Sequence, residues 1–275
     1  LGDRRRRLSS RPRPEPDDAP IDVAALCRAI FPVLAERGSR VRAQSRVRLV
    51  EPAMIEEFLG LLIDEDDDAF ERFLLERAAD SADPQAVVEE LLGPVARLVG
   101  DYWRMDVCDF MKVTVVMSRI QRLFWTVSSL YPPIRRPTPG RSVLLTPMPG
   151  EQHGFGLMVV EDALQRAGWH VDRCCSDEED AYFDLLERND YVVVGISLSG
   201  LALAHSLPAF IRRTRKKSRN ASVSVMVGGS LFVEKPDLAF AAGADYLALD
   251  GLTAIGVAEA AAASLDGDVR QLAFG

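Results

Sequence analysis

The sequence predicts an α/β protein in which an amino-terminal helical bundle precedes a doubly wound, five-stranded parallel sheet. Three observations carry the prediction. Apolar residues recur at helical spacing through most of residues 52–129, with short connections. A proline-rich stretch, Tyr131–Gly140 (YPPIRRPTPG), then interrupts the chain. Beyond it the period changes, and five short apolar runs alternate with five helical stretches, as a parallel sheet with crossover helices requires.

Composition sets the outer bounds. The 275 residues can hold two modest cores, and 48% hydrophobic with 27% charged residues is ordinary for a globular chain. No apolar run reaches membrane-spanning length, and the basic amino terminus lacks the apolar core of a secretory signal, so a cytoplasmic setting is expected. The four cysteines, Cys27, Cys108, Cys174 and Cys175, show no paired zinc spacing, and free thiols in a reducing compartment are the default reading. A formal net charge of −8 argues against coating nucleic acid by charge alone.

Taken in order, residues 1–20 form a tail of arginines, prolines and acids that has too little apolar surface to order itself. It reads as a solvated tail in preference to a phosphate- or partner-contacting arm. The helical bundle is assigned to residues 21–130. Asp22 is placed to cap a helix running to about Arg37, with Pro32 able to kink it. Ser39–Leu49 reads equally as a loop or a short helix. Pro52 suits a first-turn position ahead of Met54, Ile55, Phe58, Leu61 and Leu62. Asp66-Asp67-Asp68 puts negative charge at the start of a helix over 69–79. Asp83-Pro84 opens another helix, bent at Gly93-Pro94 before it continues to Val99 or Trp103. Asp106 then precedes a long helix from Val107 to about Ser129.

Residues 131–140 are the linker, and 141–275 the α/β part. Its strands are expected at Val143–Leu145, His170–Cys174, Tyr191–Ser197, Val223–Val227 and Tyr246–Leu249. Its helices are expected at Leu157–Ala167, Asp180–Glu187, Ala202–Thr214, Lys235–Ala242 and Ala254–Ala263. The chemistry gathers after the first strand, in Pro149-Gly150-Glu151-Gln152-His153-Gly154-Phe155-Gly156. Ligands of open α/β sheets bind at the carboxyl ends of the strands. This loop offers an imidazole, a carboxylate and three glycines that let backbone come close to something large. Taken alone, the motif is more economically a solvent-exposed loop histidine. Ser197 and Ser199 end the third strand run and Gly228-Gly229 the fourth; singly, they read as a helix cap and a βα turn. His170 and His205 read as structural, and Cys174-Cys175 as a small strand-end pair, no Cys-Pro dipeptide supporting a heme thiolate.

Together these three elements resemble the signature of the cobalamin-binding domain family: Asp-x-His-x-x-Gly, then Ser-x-Leu or Ser-x-Thr, then Gly-Gly. The spacings fit, with 40 residues between Gly156 and Ser197 and 28 between Ser199 and Gly228. Glu151 departs from the usual Asp. The resemblance covers about residues 141–265 and implies a Rossmann-like sheet with the corrin ring across its carboxyl edge. It implies His153 as lower axial cobalt ligand, with Glu151 fixing its tautomer. Gln152, Gly154, Gly156, Ser197, Ser199, Gly228 and Gly229 would line the cofactor and its nucleotide tail.

The words Gly-Asp-Tyr-Trp-x-x-Asp-x-Cys-Asp-Phe-x-x-Val-Thr (100–114) and Thr-Pro-x-Pro-Gly-Glu-Gln-His (146–153) narrow the likeness. They resemble the AerR/PpaA-type regulators, related to the carboxy-terminal sensor half of AppA. That implies an antirepressor of PpsR/CrtJ-class repressors, responsive to light or redox state and without catalysis. The cofactor implied is cobalamin of the hydroxo- or adenosyl-type, with heme the alternative. DNA would be contacted only indirectly or through the basic tail, and no membrane partner is implied. Trp103 reads either as a cover for the upper ligand or as a core anchor of the bundle. The Glu-His pair that follows this Trp in light-sensing repressors is absent. The competing class is the corrinoid-carrying subunit of a methyltransferase.

Overall fold

The computed structural model describes residues 52–63, 69, 72–73, 76, 88–130, 136–175 and 179–273. The tail, the helix expected from Asp22, the segment 39–49, most of the helix over 69–79, the start at Asp83-Pro84 and the first part of the linker lie outside the described residues. Those described fall in one compact unit, residues 44–275.

The helical layer holds α1 (Pro52–Ile63), α2 (Gly93–Arg104) and α3 (Phe110–Leu130). Pro52 opens α1 as expected. The Gly93-Pro94 step is resolved by a π-helical turn, Val88–Leu92, directly before α2. Pro94 lacks an N–H and its ring crowds the carbonyl four residues back, so the helix widens ahead of it. Helix α3 starts at Phe110, three residues later than expected. Asp106 adopts φ 55° as the chain leaves α2, and Asp109 caps α3 instead, its Oδ1 accepting the Lys112 N–H at 2.8 Å. Phe58, Leu59 and Leu62 of α1, Val95, Leu98, Val99 and Tyr102 of α2, and Val116, Ile120, Leu123, Phe124 and Val127 of α3 form the buried core. Arg119 caps the end of α1 by donating to the Leu62 carbonyl at 2.6 Å.

The sheet contains β1 (Ser142–Pro147), β2 (His170–Arg173), β3 (Val193–Ser197), β4 (Ser224–Gly228) and β5 (Tyr246–Leu247). All pairings are parallel, in the order β2-β1-β3-β4-β5. The helices α4 (Phe155–Arg166), α5 (Glu179–Arg188), α6 (Leu207–Lys217), α7 (Ser230–Glu234), α8 (Asp237–Ala241) and α9 (Gly251–Ala273) connect or follow the strands. Val143, Leu145, Val193 and Met226 share one core with α4 and α9. Leu144, Val194, Ile196, Val225 and Val227 face the other, with α5, α6, α7 and α8. This two-sided burial makes the strands nearly continuous apolar runs.

One expected helix is divided near a proline, and the one expected over Lys235–Ala242 is preceded by a short helix, α7, that lies outside every expected element. Residues 201–206 are 3₁₀ before α6 begins at Leu207 with Pro208 in its first turn. Pro236 separates α7 from α8, holding Lys235 at φ −134°, outside the helical region. Among the described residues, no helix is long and apolar enough to cross a membrane.

The helical layer meets the sheet layer along α3 and α4. Ser128 Oγ donates to Asp162 at 2.6 Å, and Arg166 joins both through Asp162 Oδ2 (2.6 Å) and the Ser128 carbonyl (2.9 Å). The Phe124 and Phe155 rings meet edge to face at 6.0 Å.

Candidate functional site

Strand order places the switch point between β1 and β3, whose connections run to opposite faces of the sheet, and ligands of such sheets bind in the crevice there. The register aligns the three sequence elements on one row. Pro147 pairs with Ser197, and Ser197 with Gly228, so the loops carrying His153, Ser199 and Gly229 leave the sheet side by side.

The first loop turns at Gly150, which adopts φ +84°, while the Glu151 N–H closes the turn on the Met148 carbonyl at 2.8 Å. This throws Glu151 inward and His153 outward. The Glu151 side chain is 3% exposed and that of His153 63%. Oε1 of Glu151 accepts the His153 backbone N–H at 2.9 Å and lies 2.5 Å from His153 Nδ1. Oε2 accepts the backbone N–H groups of Ser199 at 2.6 Å and Gly200 at 3.3 Å. One carboxylate therefore ties the β1 loop to the β3 loop. The longer reach of Glu spans both.

Burial pushes the Glu151 carboxyl up, but hydrogen bonds from His153 and Ser199 outweigh it and hold it at about 2. The same bond from Glu151 raises His153 above its ordinary value, opposed by burial and by the nearby Arg104 charge. An ionised carboxylate only accepts, so Nδ1 carries the ring proton and Nε2 of the neutral ring keeps its lone pair. Carboxylate–imidazole pairing of this kind orients metal-binding histidines. Among the described residues there is no group of three or more His, Cys, Asp or Glu side chains able to hold a metal ion. The donor set thus fits a metal that arrives with most of its ligands already in place, rather than a bare ion.

The glycines of the three loops divide into two kinds. A Cβ on Gly154 or Gly156 would meet nothing within 4 Å, so space is open beside His153. A Cβ on Gly228 would lie 2.4 Å from the Ala248 carbonyl oxygen, and one on Gly229, at φ +112°, 2.3 Å from that of Leu198. Those two are required by the protein's own backbone. Ser197 is buried, and its carbonyl accepts the Met148 N–H at 2.8 Å; Ser199 acts through its amide. Gln152 is exposed.

Trp103, in the last turn of α2, is 46% exposed, while its neighbour Tyr102 is 3% exposed and fills the core. The bundle anchor is therefore Tyr102, and Trp103 stands free of the core. Next to it, Arg104 pairs with Asp101 and lies 3.9 Å from Glu234 at the end of α7. His170 lies 3.5 Å from Asp172, and His205 Nδ1 is 2.8 Å from the Ala202 carbonyl.

The amide contacts of Glu151 and the position of Arg104 have no local sequence signal. A third feature has one: exposed Leu201, Val233 and Leu252 follow the ends of β3, β4 and β5 within a few residues, where polar loop residues are usual. They give the carboxyl edge an apolar rim.

Comparison with known proteins agrees with this geometry. Residues 141–256 match the B12 binding domain family. The matched stretch holds the whole sheet and all three motif elements. An uncharacterized 20.5 kDa protein in the bchF-crtJ intergenic region of Rhodobacter capsulatus is 25% identical over 156 residues, 56% of this chain and 81% of that one. Among solved structures, the monomethylamine corrinoid protein of Methanosarcina barkeri aligns over 74% of this chain and 95% of its own, with a TM-score of 0.59 and 14% identity. That likeness shows the fold.

Proposed function

We propose that the chain is a cobalamin-binding regulator, responsive to light or redox state, that acts without catalysis by binding a DNA-binding repressor of the PpsR/CrtJ class. The observation that carries the cofactor part is the Glu151–His153 pair at the switch point of the B12 binding domain, with Nε2 left for a metal. The regulatory part rests on the AerR/PpaA-like words at 100–114 and 146–153. It is supported by the relative named for its position beside crtJ.

His153 Nε2 would hold the cobalt, and Glu151 keeps the imidazole in the tautomer that permits it. Gly154 and Gly156 leave room at the loop, and Trp103, exposed in the last turn of α2, would cover the bound group. When bound, cobalamin would supply a cobalt centre that responds to light or oxidation. The helical layer is joined to α4 through Ser128, Asp162 and Arg166 and would report the state of the site. A switch follows only where its two positions differ in affinity for the repressor.

The test is an absorption spectrum after reconstitution with hydroxocobalamin and, in parallel, with heme, for wild type and His153→Ala. Stoichiometric corrinoid bands that shift in the variant are expected. Uptake of heme alone would move the assignment to a heme sensor, and uptake of neither would end the cofactor reading. Added to operator-bound repressor of the PpsR/CrtJ class, loaded protein is expected to lower DNA occupancy differently in light and dark. No effect on occupancy in either condition would overturn the antirepressor role. Transfer of a methyl group to a thiol from protein loaded instead with methylcobalamin would establish a methyltransferase subunit.

A further inference from the structure

Arg104 is a charged side chain at the site that the Glu151–His153 pair does not use. It stands in the last turn of α2, beside the exposed Trp103. On its own helix it pairs through Nη2 with Asp101, whose side chain is 21% exposed against 59% for Arg104. Its Nη1 lies 3.9 Å from Glu234, at the end of α7, the helix that follows Gly228-Gly229. That distance keeps an attraction but is too long for a hydrogen bond. The guanidinium charge is also felt at His153, where it opposes protonation of the imidazole. Arg104 is thus within electrostatic reach of both the β1 loop and the helix after β4, with Asp101 holding one of its nitrogens.

A cation in that place is unfavourable to a metal ion on His153 for the same reason that it is unfavourable to a proton. The dipole of α2 favours a basic residue in its last turn, but it does not account for the reach across the sheet edge. What suits a guanidinium is an acceptor, since it offers five donors in a planar fork and accepts nothing. We infer, on the cobalamin reading of this site, that Arg104 is a binding residue that leaves Glu234 and donates to an acceptor oxygen of the bound group. Cobalamin carries two sources of such oxygens, the carboxamide carbonyls of the ring edge and the phosphodiester of the nucleotide tail. A charge-assisted hydrogen bond to either replaces a weak, exposed ion pair. Glu234 then competes with the ligand for one nitrogen of Arg104, so the two members of this pair have opposite effects on binding.

Equilibrium titration of the full chain with hydroxocobalamin reads the affinity. Arg104→Gln should weaken binding by about tenfold, and Arg104→Lys by less, because it keeps the charge and loses the fork. Glu234→Gln should tighten binding by about two- to fivefold, the size of an exposed ion pair. Thermal unfolding of the empty protein should be unchanged in all three variants, since both side chains are exposed. If the pair only latched α2 over the sheet, Arg104→Gln and Glu234→Gln would shift the affinity in the same direction. That result, or an affinity indifferent to Arg104→Gln, would overturn the inference and leave the cofactor reading intact. No binding by wild type would end both. Cobinamide, which lacks the phosphodiester tail, separates the two oxygens. An equal loss with Arg104→Gln assigns the contact to a ring carboxamide, and no loss assigns it to the phosphate.

Discussion

The glycines after β1 and those after β4 leave the same edge of the sheet, yet they answer to different forces. Gly154 and Gly156 border open space, whereas Gly228 and Gly229 are pressed against the Ala248 and Leu198 carbonyls. One pair borders open space; the other lets the chain fit itself. The same residue type is thus unconstrained by the chain in one loop and a structural necessity in the next. Substitution separates the two.

The largest effect is expected at Gly229. Alanine there must hold φ +112° and place Cβ 2.3 Å from a backbone oxygen, which cannot yield as a side chain would. A loss on the order of 3 kcal/mol and a fall in Tm of about 10 °C are expected by thermal denaturation. An unfolding midpoint within a degree or two of wild type would show that the loop relaxes, and the contrast between the glycine pairs would fail.

Glu151 joins the two kinds of loop and comes next. Glutamine keeps the shape but loses the charge and presents one acceptor oxygen where two are used. It can satisfy His153 or Ser199, not both, at a cost of about 1–2 kcal/mol. Glu151→Asp should keep the imidazole contact and lose the Ser199 amide, which is 2.6 Å away only because of the longer side chain. Faster hydrogen exchange at the Ser199 and Gly200 amides in the Asp variant would be the signature. Unchanged protection in both variants would mean that the carboxylate does not hold the β3 loop.

These long-range ties mark the limit of what the sequence discloses. The strands were legible because both faces of the sheet are buried, leaving runs such as Val192-Val193-Val194 with no polar interruption. Tyr246–Leu247 proved shorter than its apolar run because β5 is an edge strand paired on one side only. The loop motif was legible because its residue types are unusual together. Asp106 and Asp109 were not separable, since either can cap a helix and only the backbone turn after α2 decides. Nor did spacing disclose that the second oxygen of Glu151 reaches an amide 48 positions away. Trp103 read equally as a ligand cover and as a core anchor until helix rotation put Tyr102 inside instead.

A smaller effect follows pH. The Glu151 carboxyl falls from its ordinary 4.5 to about 2, so its contribution to stability is complete above 4.5 and is lost as pH drops toward 2. His153 is raised from 6.5, so its contribution is complete below 6.5 and is lost as pH rises through the higher folded value. Both are present together between 4.5 and 6.5. The difference in Tm between wild type and Glu151→Gln should be largest in that window and shrink on either side. Proton NMR of the imidazole should give a midpoint above 6.5 in the wild type, moving down in the variant. A midpoint unchanged by the substitution would mean that the pair does not persist in solution.

The smallest effect on the fold belongs to Gly156→Ala, and it speaks most directly to what the open space is for. Position 156 lies in the first turn of α4 with nothing within 4 Å of the added carbon, so alanine meets no clash. It should raise stability by up to about 1 kcal/mol through its helix preference. If the space beside His153 belongs to a cofactor, the same methyl group should hinder hydroxocobalamin uptake while the empty protein becomes more stable. A more stable protein with unchanged uptake would show that the ligand approaches His153 from another side, and that neither the chain nor the ligand requires a glycine at 156.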